Sequence, residues 1–201
     1  MKKTKAETAA TRQRIVEIAS KTFKTNGIHA TGVSEIMAAA GLTHGGFYRH
    51  FESKEQLVAE AFGTSMDTLI KAVEKVAGDG GDAVRKYLEE FLSPHYRDDV
   101  SNSCPLVAMG SELARSDAET RRAATLGFQR LVETVARYNG AESDENAFNE
   151  AILVVASVIG AVTISRIVDD PALSTYILET MKVRLGESLT QELAHEAKWM
   201  V

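Results

Sequence analysis

The 201-residue chain is predicted to be all-α, with about nine helices: an N-terminal three-helix helix-turn-helix head, then a larger C-terminal helical bundle. Three observations predict this. Apolar residues recur at helical spacing almost throughout, and no segment shows strand alternation. Prolines number only three and aromatics are few, which disfavours a β architecture. A composition that is 44% hydrophobic and 25% charged excludes extensive disorder.

The elements follow in order. Ile15, Ile18, Ala19, Thr22 and Phe23 mark the buried face of a first helix, ended by Asn26-Gly27. Val33, Ile36, Met37 and Ala40 form a second short stripe, with Gly32 as N-cap, Glu35 at N3 and Gly41 as stop. Thr43 is the expected N-cap of a third short helix over 44–50. Ser53 to Gln56 is a capping box that opens a long fourth helix to about Ala77. Glycines 78, 80 and 81 break the chain. Asp82 can then cap a helix whose stripe is Val84, Tyr87, Leu88, Phe91 and Leu92, ended by Pro94. The polar segment 95–103 reads as a loop. A sixth helix runs from Cys104 or Pro105 to Ala114. Ser116 to Glu119 is a second capping box, starting a helix that ends near Asn139-Gly140. A long apolar helix covers 144–168, and Asp170-Pro171 is the N-cap and N1 pair of the last helix, to about 194.

The longest uncharged run, Ala151 to Ser165, has 15 residues, whereas a membrane span needs roughly 20. It is therefore read as a buried core helix, and no membrane partner is expected. The charged N-terminus has no apolar secretory core, and a single cysteine fits a reducing cytoplasm. The net charge of −5 is unevenly spread. Residues 1–50 carry eight Lys/Arg against three Asp/Glu, and the remainder fifteen against twenty-five. A basic head on an acidic body suits a polyanion partner, though a solvated basic tail would give the same count.

Three short helices with a tight turn between the second and third form a helix-turn-helix. Val33, Ile36, Met37, Leu42, Phe47 and Phe51 would pack against Ile15, Ile18 and Phe23. Thr43, His44, Gly45, Tyr48, Arg49 and His50 are left on other faces of the third helix. In a major groove, Gly45 and Gly46 would let the backbone approach closely, at about 1 kcal/mol each relative to alanine. Tyr48 can donate to a phosphate, and Lys54 would grip another.

The stretch "GIHATGVSEIMAAAGLTHGGFYRHFESKEQLV", residues 27–58, resembles the DNA-binding head of the TetR family of transcriptional repressors. The resemblance covers the Gly27 turn, Thr31, "EIMAAAG", "FYRHF" and the Ser53-Lys54-Glu55 start of the fourth helix. It implies base reading by Thr43, His44, Gly45 and Gly46, and backbone contacts from Tyr48, His50 and Lys54. It also puts Thr31 and Ser34 near phosphate. Gly32 departs from the Thr or Ser common in the family. The resemblance further implies a homodimer on palindromic double-stranded operator DNA, released by a small-molecule inducer in the C-terminal domain.

Domains are accordingly expected at 1–53, for DNA binding, and 54–201, for ligand binding and dimerisation. Helical bundles bind ligands between their helices, and Met66, Tyr87, Phe91, Met109 and Phe128 are candidate lining residues. The 144–168 helix and a last helix carrying Leu173, Ile177, Met181, Leu185 and Leu189 resemble the family's two-helix share of a dimer interface. Residues 102–121 resemble a branch in which a cysteine opens the sixth helix and in some members senses electrophiles or oxidants. Cys104 is therefore either a thiol sensor or a small buried hydrophobe. An effector-independent DNA-binding protein is a further alternative. Catalysis is not expected: Cys104 and His95 have no accompanying nucleophile elbow or oxyanion signature. Neither a metal nor another cofactor is expected, because the five histidines form no i, i+4 pair.

Overall fold

A computed structural model describes residues 4–138 and 145–197, with side chains up to residue 186. The expected ends near Asn139-Gly140 and Asp144, and the side chain of Leu189, lie outside the described residues. Nine α-helices and one 3₁₀ helix are present among the described residues: α1 Lys5–Asn26, α2 Val33–Ala39, the 3₁₀ helix His44–Arg49, α3 Lys54–Gly78, α4 Gly81–Phe91, α5 Pro94–Asp98, α6 Pro105–Leu113, α7 Ala118–Tyr138, α8 Glu145–Ile167 and α9 Pro171–Ala197. The all-α expectation holds, and no strand occurs among the described residues.

The departures are local and have local causes. Pro94 starts a helix instead of only ending one. Its fixed φ suits N1, and Ser93 Oγ accepts the Tyr96 N–H at 3.0 Å. The expected polar loop thus begins with α5. The third short helix is 3₁₀ rather than α, as its glycine pair gives little support to an α-turn. Thr43 precedes it without a side-chain cap. Asp82 does not cap α4 either: Gly80 precedes it at φ 96°, and Asp82 lies in the first turn. The cap of α7 is Asp117, not Ser116. Asp117 accepts from the Glu119 and Thr120 amides and from the Thr120 hydroxyl, which holds its carboxyl below the usual carboxylate range. Ser116 instead donates to the Glu112 carbonyl. At α3, Ser53 Oγ caps Gln56 N–H as expected, while Gln56 Oε1 reaches one residue further back, to Glu52 N–H. Asp170 caps α9 through Ala172 and Leu173 N–H, with Pro171 at N1, as expected.

The chain divides into two compact units. One contains residues 1–71 and 100–131. Ile15, Ala19, Phe23, Ile36, Met37, Phe47, Phe51, Leu57 and Phe62 are buried in it. The buried face of α1 includes Val16 and Ser20, whereas Ile18 and Thr22 are only half-buried. Ser20 and Ser65 share a 2.5 Å hydrogen bond inside this core. A Cβ at Gly127 of α7 would lie 2.9 Å from Met66 Cγ, so that α3–α7 crossing admits only glycine without a shift.

The other unit contains residues 72–99 and 132–201. Here α8 packs along α9. Arg97 donates to Ser174 Oγ at 2.8 Å, and Arg166 Nε donates to the Arg97 carbonyl at 2.7 Å, fastening α5 to the α8–α9 junction. By length and composition α8 could cross a bilayer, yet only 33% of its most apolar window is buried. Leu153, Ile164 and Ile167 on α8 and Leu173, Tyr176 and Val183 on α9 are exposed, with Ile167 at 73% and Tyr176 at 69%. The expected α9 stripe is therefore split. Leu185 is buried within the unit, Ile177 and Met181 are half-buried, and Leu173 is exposed.

Candidate nucleic-acid interface

The 3₁₀ segment is anchored from beneath by its aromatics. Phe47 and Phe51 are buried and stacked, with ring centroids 5.4 Å apart. Tyr48 points the other way. It is 67% exposed, and its ring meets Phe47 and His44 edge-on at 5.3 and 6.2 Å. Thr43, His44, Gly45 and Arg49 are exposed as well, Gly46 and His50 are half-buried, and Ser34 is exposed on the first turn of α2. Neither glycine is demanded by the fold. A Cβ at Gly45 would meet nothing within 4 Å, and one at Gly46 would make an ordinary 3.5 Å contact with Met37 Cε. Neither needs a left-handed φ.

Two arginines of α1 fix this surface. Arg12 forms a two-pronged ion pair with Glu60 of α3, donates from Nε to the His50 carbonyl at 3.1 Å, and lies 4.5 Å above the Phe51 ring. The Glu60 hydrogen bond raises the Arg12 guanidinium further above its normal value. Arg14 donates to the Ala40 carbonyl at the end of α2, at 2.8 Å. Neither role is visible in the sequence, because an exposed-looking arginine on an amphipathic helix shows no partner 38 or 48 residues away.

The α1–α2 turn is held differently. Gly27 adopts φ 86° and ψ 156°. Thr31, expected near phosphate, is 0% exposed, and its hydroxyl donates to the Gly27 carbonyl at 2.7 Å. That side chain serves the turn. Glu112 of α6 accepts from Ile28 N–H and His29 N–H, both at 2.9 Å. Half-buried Lys54 donates from Nζ to the Ile28 carbonyl at 2.6 Å. Glu112 was not among the residues expected at this surface, although the sequence holds a signal for it. It is an acidic residue in the last turn of α6, where the helix dipole disfavours negative charge.

The remaining candidates fall in both units. Met66 and Met109 are buried and Phe128 is half-buried in the first unit. Tyr87 and Phe91 belong to the second, where Phe91 stacks on Tyr96 with centroids 4.1 Å apart. Cys104 is the N-cap residue of α6 and is 2% exposed.

Residues 15–61 match the family of bacterial regulatory proteins, tetR family. Residues 81–173 match the C-terminal domain of LmrA/YxaF-like transcriptional regulators. Over 95 residues the chain is 34% identical to the HTH-type transcriptional regulator AcrR of Shigella flexneri, covering 45% of this chain and 44% of that protein. Over 107 residues it is 28% identical to the uncharacterized HTH-type transcriptional regulator YxaF of Bacillus subtilis (strain 168), covering 51% and 56%. The chain thus spans about half the length of these curated relatives. The crystal structure of a TetR transcriptional regulator from Chloroflexus aurantiacus J-10-FL aligns at a TM-score of 0.72 and 29% identity, covering 92% of this chain and 97% of that one.

Proposed function

The chain belongs to the TetR family of bacterial transcriptional regulators, and we propose that it is a cytoplasmic repressor. In this reading it binds a palindromic operator as a homodimer and is released by a small-molecule inducer. The observation that carries DNA binding is the polar surface of Thr43, His44, Gly45, Tyr48 and Arg49, exposed over a buried Phe47–Phe51 anchor. In a groove, the two glycines would admit the backbone to base edges, and Thr43 and His44 would read them. Tyr48, His50, Arg49 and Ser34 would meet sugar and phosphate, and Lys54 would add a charge contact. Thr31 would contribute through the turn it holds together.

The apolar stripe on α8 and α9 supports the dimer. Large apolar side chains exposed along two packed helices mark an association site, and a two-fold pairing of these helices with their copies would cover them. Two heads could then meet two half-sites about one helical turn apart. Inducer release rests on family membership, and burial of Cys104 favours a packing cysteine over a thiol sensor.

Sequencing the duplex fragments that the full-length protein retains from a random pool tests the reading. A discrete palindrome is expected, and uniform protection along any duplex would overturn it in favour of an effector-independent DNA coat. Titration on the selected operator adds a second check. Lys54→Ala should flatten the log-affinity against log-salt slope by about one unit for each half-site. Sedimentation checks the dimer: Tyr176→Glu should yield monomers where the unmodified chain sediments as a dimer.

A further inference from the structure

The peptide group joining Ile28 to His29 lies between two opposite charges. Its carbonyl accepts from the Lys54 ammonium at 2.6 Å, and its N–H donates to Glu112 Oε1 at 2.9 Å. The other Glu112 oxygen accepts the preceding amide, Ile28 N–H, at 2.9 Å. The positive end of the peptide dipole thus faces the carboxylate, and the negative end faces the ammonium. Hydrogen bonds arranged in series polarise one another, so each charge strengthens the other's bond through the shared peptide. Gly27 makes room for this: a Cβ there would lie 3.0 Å from Glu112 Oε2. The location of Glu112 in the last turn of α6 works against that helix's own dipole, so helix stability does not account for it. A residue that breaks a local rule is expected where another site gains from it.

We propose that Glu112 is a positioning residue for operator binding, acting through the Ile28–His29 peptide to hold Lys54 where it meets the phosphate backbone. This rests on the reading of Lys54 as a phosphate contact. An ammonium has three donors, so one bond to Ile28 leaves capacity for phosphate oxygens. The anchored donor then enters the complex with less freedom to lose than a lysine at a bare helix start.

The sign of the effect separates this role from ordinary electrostatics. Deleting a carboxylate from a DNA-binding protein favours a polyanion, so a neutral Glu112 would tighten binding if charge alone mattered. Positioning demands the reverse. Four full-length proteins are titrated on the selected operator across a salt series: wild type, Lys54→Ala, Glu112→Gln and the double variant. Glu112→Gln is expected to weaken binding about threefold to tenfold, the size of one to two lost hydrogen bonds. In the Lys54→Ala background the same change should cost less than about twofold, because the two residues act on one contact. Without DNA, the Ile28 and His29 amides should exchange with solvent faster in Glu112→Gln than in wild type. If that variant fails to fold by circular dichroism, Glu112→Asp takes its place. Its charge remains but its shorter reach cannot serve both amides, and a smaller loss of affinity is expected. Unchanged or tighter binding by a folded Glu112 variant, or an equal loss with and without Lys54, would overturn the inference while leaving the phosphate contact intact. If Lys54→Ala itself matched wild type in affinity and salt slope, the underlying reading would fall, and the inference with it.

Discussion

Between α1 and α2 the chain places Gly27, His29 and Thr31; entering the 3₁₀ helix it places Thr43, His44 and Gly45. The residue types are nearly the same, but their physical situations differ. Gly27 needs its left-handed φ, and a Cβ there would crowd the Glu112 carboxylate. Thr31 is buried and hydrogen-bonded, and the amides of Ile28 and His29 are held by Glu112. In the second turn, Thr43 and His44 are exposed, and Gly45 meets neither a steric nor a conformational demand. One turn is built for the fold. The other carries residues that the fold alone does not explain, as a surface made for an external partner would.

Substitution of the first glycine should show the contrast most strongly. Gly27→Ala forces a side chain into a backbone region that is essentially glycine-only, at about 1–3 kcal/mol of stability. Glu112 would also have to give way. Chemical denaturation should show the loss as a lower midpoint at unchanged slope. If stability were unchanged, the turn would be able to relax, and its role as a rigid element would be lost.

Hydroxyl deletions in the two turns sharpen the comparison at a smaller scale. Thr31→Val keeps the shape but removes the bond to the Gly27 carbonyl, which should cost about 1 kcal/mol of folding stability. Tyr48→Phe removes an exposed hydroxyl and should leave the unfolding midpoint within error. Operator affinity should fall for Tyr48→Phe by up to about tenfold, the worth of one good hydrogen bond. If Tyr48→Phe destabilised the chain and spared DNA binding, the two turns would not differ in the way described.

This contrast was only partly legible from sequence. Helical periodicity, the Asp170-Pro171 start of α9 and the Phe47–Phe51 anchor are local signals, and they hold. The exposure of Thr43, His44, Gly45, Tyr48 and Arg49 was legible because an apolar core assigns the remaining positions to other faces. The failures share a cause. Thr31 looks like an exposed turn residue until its hydroxyl finds the Gly27 carbonyl. Arg12, Lys54 and Glu112 find partners 48, 26 and 84 residues away, and no periodicity encodes such pairings. Cap choice within a turn also escaped. Ser116 and Asp117 are both good caps, and only the path of the chain decides between them.

The smallest expected effect tests the second turn directly, through Gly45→Ala. A Cβ at Gly45 meets nothing within 4 Å, and φ there is not left-handed, so alanine fits without strain. Alanine also restricts the unfolded chain, so the substitution should stabilise the protein by about 0.4–1 kcal/mol. A glycine that costs folding stability without a steric or conformational reason fits a role outside the chain's own packing. Should it serve DNA, the added methyl will stand between the backbone and the groove. Affinity for the operator then falls while the thermal midpoint rises by a few degrees. The two readouts moving in opposite directions is the signature. A variant that is both more stable and equally tight on the operator would show that Gly45 makes no close approach, and base reading would have to be reassigned to Thr43, His44 and the side chains beyond the glycine pair.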